Sequence, residues 1–133
     1  MKNQVTNNRY NKNVIRPTQI GEDVSLFKRK VVLFSEKSLT VGEFDIDSDG
    51  AYRNVKTFPV DVKGGKDLYV SIKSDRPVDV DVVGIDGRSI KFKEAFLNGV
   101  IGPLETVGKG TMEVILGVYR GDLSNLEMEI WTE

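Results

Sequence analysis

A regular alternation of apolar and polar residues runs from Phe58 to Phe92 and limits what this chain can fold into. The apolar residues recur at every second position: Phe58, Val60 and Val62, then Leu68, Val70 and Ile72, then Val78, Val80 and Val82, then Ile90 and Phe92. Turn-forming residues separate these runs at Gly64-Gly65, 74–77 and Asp86-Gly87. Side chains of a strand point to opposite faces in turn, so the pattern predicts consecutive antiparallel strands with one buried face each.

The remainder of the chain extends this pattern. Along the whole chain, strands are expected at residues 26–34, 39–47, 51–62, 67–74, 77–85, 111–120 and 125–132. The segment 91–110 is less regular. Short strands at intervals of about 8–12 residues are typical of sandwiches and jelly rolls. We therefore predict an all-β fold, an antiparallel β-sandwich or jelly roll of about eight strands covering residues 25–133. An extended N-terminal arm, residues 1–24, is expected to precede it.

Composition narrows the chemistry that the protein can perform. The sequence contains no His and no Cys, which removes the commonest general base, thiol nucleophiles and most zinc sites. The formal net charge is −1, so the chain lacks the net positive charge that is typical of nucleic-acid-binding proteins. We predict a protein that is not an enzyme, requires no cofactor and does not bind nucleic acid.

The arm differs from the rest of the chain in charge. It is rich in Asn, and it carries four basic residues and no acid before Glu22. Without these four, 15 basic residues face 20 acidic ones, about −5. A basic arm beside an acidic body predicts that the arm lies on the surface of a neighbouring subunit, although a solvated tail has the same composition. The expected contact residues are Arg9, Tyr10, Lys12 and Arg16.

The segment 45–50, DIDSDG, resembles the first half of a calcium-binding loop. Asp45, Asp47 and Asp49 stand at alternate positions before Gly50, which would allow three carboxylates to converge on one hard cation. The closing position holds Lys56 instead of a bidentate Glu. The alternative is a hairpin turn with solvated carboxylates, and turn chemistry explains these residues without a metal.

Two further features are candidate contact surfaces. The segment 91–110 is too apolar for a solvated loop, so it either crosses over the body or exposes a contact surface. On the second interpretation the interface residues are Phe96, Leu97, Val100 and Ile101. Trp131 lies on an otherwise charged strand face and is a candidate interface anchor.

The location expected from the sequence is a virion or the cytoplasm. No apolar run reaches the length of a membrane span, and the N-terminus lacks the apolar core of a secretory signal. The preferred hypothesis is a structural or assembly protein, such as a capsid-decoration or other shell subunit, that contacts copies of itself or a larger protein shell. The alternative is a ligand- or calcium-binding accessory β-sandwich module of the carbohydrate-binding or cell-surface type.

Overall fold

The structure, a computed structural model, describes residues 29–42, 53–119 and 121–133. Within these ranges it contains six strands and no helix. The strands are β1 (Val31–Val41), β2 (Arg53–Val62), β3 (Asp67–Val83), β4 (Ser89–Glu105), β5 (Gly110–Tyr119) and β6 (Ser124–Thr132). They belong to one compact unit, Val31–Glu133, and all their pairings are antiparallel. The all-β antiparallel class predicted from the sequence is confirmed.

The strands form a single sheet in the order β1-β6-β3-β5-β2, with β4 paired to β3 outside this path. Leu68 is in register with both Thr132 of β6 and Leu104 of β4, so these two strands lie on opposite edges of β3. Further along, β5 replaces β6 on the same edge, from Asp79 to Val83. β5 and β6 therefore follow one another along β3, while β4 accompanies β3 throughout.

The sheet curls into a half-barrel, and β3 bends where it changes neighbours. Its pairing with β4 steps from Lys73 opposite Asn98 to Val78 opposite Phe96, so β3 contributes more residues than β4 at this point. Extra residues on one strand of a pair bend that strand and increase its twist. The bend brings the two halves of the sheet around one core.

The core lies on the inner face of this curved sheet. Even-numbered positions of β2, β3, β5 and β6 provide most of it, as the period of two requires. The fully buried side chains on β3 are Leu68, Val70, Ile72, Val78, Val80 and Val82, each at most 1% exposed. Met112, Leu116, Met128 and Ile130 face them from β5 and β6. An aromatic pair, Phe34 and Phe58, with ring centroids 5.1 Å apart, joins β1 to β2.

The part of the chain that the structure describes contains six strands instead of about eight, and the expected sandwich or jelly roll is not confirmed. The predicted strands 26–34 and 39–47 are replaced by β1, which runs without interruption through the polar residues between them. A register shift between Glu36 and Leu39 accommodates those residues. Polar residues at a bulge on an edge strand therefore looked like a break between two strands.

The predicted turn at 74–77 is also wrong, because β3 continues through it for 17 residues. Ser74 and Asp75 are turn formers in many contexts, but here their side chains bond to β6 and the backbone stays extended. By contrast, the turn at Gly64-Gly65 is confirmed. Both residues have positive φ, 82° and 76°, a conformation that glycine adopts without steric cost.

The irregular segment expected at 91–110 is mostly β4, a strand of 17 residues. All but three of its side chains, those of Phe96, Ile101 and Leu104, are exposed. A strand with so few buried positions needs no apolar–polar alternation, and this is why its sequence does not resemble that of β3.

Candidate functional site

β4 forms a long edge of the half-barrel. Among the described strands it pairs only with β3, so its opposite edge presents backbone N–H and C=O groups along much of its length. Such an edge is a ready template for pairing with another chain, and proteins usually cover or shorten it. This edge is accordingly a candidate interaction surface.

Apolar side chains accompany this edge. Four large hydrophobic residues of β4 are well exposed: Ile90 at 43%, Phe92 at 48%, Leu97 at 42% and Val100 at 55%. Phe92 and Val100 are opposite Asp81 and Ser71 of β3, which places both on the outer face of the sheet. Apolar residues clustered on one strand, unlike single scattered ones, indicate a contact surface.

Side chains of β3 hold the first half of β4 in place. Asp79 Oδ1 accepts a hydrogen bond from the Ala95 N–H at 2.9 Å, and Asp81 Oδ1 accepts one from the Ser89 hydroxyl. Ala95 has a positive φ of 53°, which is uncommon for a residue other than glycine. The Asp79 bond therefore fixes an irregular point of β4, and the exposed strand is a defined surface.

The structure separates the four residues predicted as a contact loop. Leu97 and Val100 are exposed on β4, whereas Ile101 is a core residue at 2% exposure. Phe96 is half-buried and packs against the core. The exposed β4 surface therefore includes Leu97 and Val100 from the predicted set, together with Ile90 and Phe92, which the sequence analysis did not select.

Trp131 lies on β6, separated from β4 by β3. It is half-buried and stacks on Tyr69, with ring centroids 5.3 Å apart and planes 9° from parallel. Its indole Nε1–H donates to Glu133 Oε1 at 3.4 Å. Trp131 therefore belongs to an aromatic pair on the outer face of β6 and β3 and is not part of the β4 surface.

A second candidate surface is a polar groove on the outer face of β6, here called the β6 groove. Residues 35–38 of β1 form one wall, 71–75 of β3 form the other, and 125–129 of β6 form the floor. Two adjoining depressions of about 330 and 200 Å³ share Lys37, Lys73 and Glu127. The wall on β1 coincides with the register shift between Glu36 and Leu39, so the same bulge that lengthens β1 forms the groove.

Polar side chains tie one end of this groove to the bend of β3. Asp75 Oδ1 accepts from the Asn125 N–H at 2.8 Å, and Asp75 Oδ2 accepts from Asn125 Nδ2 at 3.3 Å. The Ser124 hydroxyl, fully buried, lies 2.6 Å from that of Ser74. Thr40 of β1 donates to Asn125 Oδ1 at 2.9 Å. Three strands are therefore linked where β3 changes neighbours.

These bonds change the acidity of Asp75. The hydrogen bond from the Asn125 backbone N–H is the largest cause, and it lowers the pKa of Asp75 below its ordinary value of 3.8. Partial desolvation opposes this effect, while the side chains of Asn125 and Ser124 reinforce it. Asp75 is thus held as a carboxylate, the form that accepts all these bonds.

The predicted arm contacts Arg9, Tyr10, Lys12 and Arg16 lie outside the described residues, and so do the predicted calcium ligands Asp45, Asp47 and Asp49. Within residues 29–42, 53–119 and 121–133, no group of three or more His, Cys, Asp or Glu side chains is arranged to hold a metal ion. In the same ranges no helix has the length and apolarity needed to cross a membrane.

Comparison with known proteins places the chain in no family. No protein-family model matches the sequence, and no curated protein resembles it. Any functional proposal therefore depends on the β4 edge and the β6 groove.

Sequence analysis missed the β6 groove completely. Its floor residues Asn125, Glu127 and Glu129 alternate with the core residues of β6, and this pattern is typical of a solvated strand face. The signal that was present is the run of polar residues 35–38 within a strand, since an interruption of alternation inside a strand is what a bulge produces.

Proposed function

We propose that this protein is a non-enzymatic structural or assembly protein that joins copies of itself or attaches to a larger protein shell. The observation that carries the proposal is the β4 edge, which combines an unpaired backbone, among the described strands, with four exposed hydrophobic side chains. Strand addition along an edge supplies main-chain hydrogen bonds, and apolar side chains beside it supply burial. Both kinds of contact are available on this one strand.

The N-terminal arm is the second proposed contact. Its four basic residues and its lack of acid before Glu22 complement the acidic remainder of the chain. Opposite charges bring partners together and fix their register, although each exposed pair contributes little to affinity. We propose that the arm of one subunit lies on its neighbour.

Within this class, a virion shell subunit, such as a capsid-decoration protein, is the proposal that best combines these features. An edge strand and a charged arm are two independent contacts, and a shell built from repeated copies needs at least two. The absence of His and Cys supports a role that depends on contacts, because it leaves few groups suited to acid–base or nucleophilic catalysis.

The test is the mass of the full chain in solution, measured by size-exclusion chromatography with light scattering. Replacing Leu97 and Val100 together by Lys places charges on the proposed contact surface and should reduce assembly to monomers. In dilute solution, where association does not stabilise the wild type, the melting temperature should be unchanged. Val107→Lys is the matched control, because Val107 is 75% exposed but lies in the connection after β4. A wild-type chain that stays monomeric at every concentration, or a double variant that assembles normally, would contradict the β4 interface.

A further inference from the structure

The β6 groove has a composition that suits a positively charged, polar partner. Its ionisable lining consists of four carboxylates and two amines: Glu36, Asp75, Glu127, Glu129, Lys37 and Lys73. The excess of carboxylates favours cations over anions in the groove. Glu127 is directly opposite Lys73 in the register of β6 and β3, and four carboxylates against two amines leave the lining with a formal excess of two negative charges.

The neutral lining suits a polypeptide backbone. Ser35, Ser38 and Ser71 provide hydroxyl groups along the two walls, whereas the Ser74 hydroxyl and the Asn125 amide are engaged in bonds within the fold. Each hydroxyl both donates and accepts hydrogen bonds, so the walls can satisfy backbone N–H and C=O groups or amide side chains. A segment rich in Asn and carrying Lys or Arg matches both the neutral and the charged parts of the groove.

The length of the groove is also appropriate for an extended segment. Five residues of β6, 125–129, form the floor, which corresponds to about 17 Å at roughly 3.4 Å per residue. About five extended residues would therefore lie along it, enough for two basic side chains spaced like Arg9 and Lys12.

We propose that the β6 groove of one subunit binds about five residues of the basic segment 9–16 of a neighbouring copy, including Arg9 and Lys12. This chain itself supplies a segment of the required chemistry, since Arg9, Lys12 and Arg16 occur there without an acidic residue among them. The inference rests on the proposed function, because it names the surface on which the arm lies. It assigns the groove to the arm and leaves the β4 edge as a separate contact.

Charge reversal in the full chain tests this assignment. Glu127→Lys should weaken association about tenfold at low salt, because attraction is replaced by repulsion at a contact where a single exposed pair contributes up to about 1 kcal/mol. The effect should shrink as salt screens the charges. Glu113→Lys is the control, since it makes the same change on β5. If Glu127→Lys lowers the melting temperature, Glu36→Lys, on the exposed wall of the groove, replaces it.

Mixing two variants identifies whose arm is bound. The double variant Arg9→Glu, Lys12→Glu should also associate weakly by itself. When it is mixed with Glu127→Lys, its acidic arm meets a groove that has lost its negative excess and gained an amine, and the other copy's basic arm meets an unaltered acidic groove. Light scattering should then show assembly in the mixture but not in either variant by itself.

The outcomes separate this inference from the proposed function. If the arm variant weakens assembly while Glu127→Lys and Glu36→Lys do not, the groove assignment is wrong and the assembly role stands. If each variant is defective but the mixture is not restored, the arm does not bind a neighbour's groove. A monomeric wild-type chain overturns both proposals.

Discussion

β3 and β4 are two strands of equal length, 17 residues each, paired along one hairpin, yet they have opposite environments. β3 has neighbours on both edges, and its inner side chains are fully buried on either side of the bend, from Leu68 to Ile72 and from Val78 to Val82. β4 has a neighbour on one edge among the described strands, and most of its side chains are exposed. The comparison shows that pairing with a core strand does not by itself bury a strand.

Substitutions in the two strands should also have different effects. β3 stabilises the half-barrel, so substitutions there should act on folding. β4 contributes few side chains to the core, so substitutions at its exposed positions should act on association and leave folding nearly unchanged.

The largest effect is expected from removing a buried leucine of β3. Leu68 is 0% exposed, and Leu68→Ala should lower the free energy of unfolding by about 2–5 kcal/mol, because it loses apolar burial and leaves a cavity. Leu97→Ala on β4, where Leu97 is 42% exposed, should change it by no more than about 0.5 kcal/mol. Urea unfolding followed by circular dichroism measures both values.

Repeating the urea unfolding of both variants at several protein concentrations provides the control. Association stabilises the folded state more strongly as the protein concentration rises, so the Leu97→Ala difference should grow with concentration while the Leu68→Ala difference should not. Equal destabilisation by the two variants in dilute solution would show that β4 belongs to the core.

Hydrogen exchange should distinguish the two strands without substitution. Residues 68–73 and 79–83 of β3 are paired on both edges, and their amides should exchange only on global unfolding. Along β4, amides directed at β3 should be protected. The alternate amides point to the edge that has no partner among the described strands, and they should exchange much faster. Protection of those alternate amides on raising the concentration would locate the association at the β4 edge, whereas uniform protection in dilute solution would contradict the edge assignment.

A smaller effect, dependent on pH, is expected at the bend of β3. The pKa of Asp75 is lowered in the folded state, so its ionised form stabilises the fold above its ordinary value of 3.8, and this contribution disappears as the pH falls through the lower folded-state pKa. Asp75→Asn should therefore reduce stability at neutral pH and make progressively less difference below pH 3.8. Urea midpoints of both proteins measured across this range provide the test, and a difference independent of pH would exclude the carboxylate as its cause.

Calcium is expected to have the smallest effect, because its predicted ligands Asp45, Asp47 and Asp49 belong to neither strand. On the assembly proposal, millimolar calcium should leave the melting temperature unchanged. If calcium bound at a hundred times its dissociation constant, it would instead raise the free energy of unfolding by about 2.7 kcal/mol. A clear increase, abolished by Asp47→Asn, would favour the accessory-module alternative.

The fold could be predicted from sequence wherever burial imposed a pattern. Val78, Val80 and Val82 alternate because one face of β3 is buried, and the Gly64-Gly65 turn requires positive φ. The bend at Ser74 and Asp75 could not be distinguished from a turn. The Ser74 hydroxyl bonds locally to Arg76, as it would in a turn, yet the backbone stays extended because Ser74 and Asp75 also bond to Ser124 and Asn125 of β6.

The candidate site was less predictable for two physical reasons. Leu97 and Val100 were selected for being apolar in an irregular segment, but hydrophobicity alone did not distinguish them from Ile101, which is buried. The β6 groove depends on a register shift between Glu36 and Leu39. A register is a property of two strands together, so the sequence of either strand does not contain it.

The pairing of β1 with β6 joins the first described strand to the last. No local hairpin can form this contact, so the polypeptide must search for it across most of its length before the barrel wall is complete. Topologies dominated by such distant pairings fold slowly, in roughly milliseconds to seconds. During that interval the inner surface of β3 lacks its cover, which makes the nascent protein more vulnerable to aggregation than its finished form.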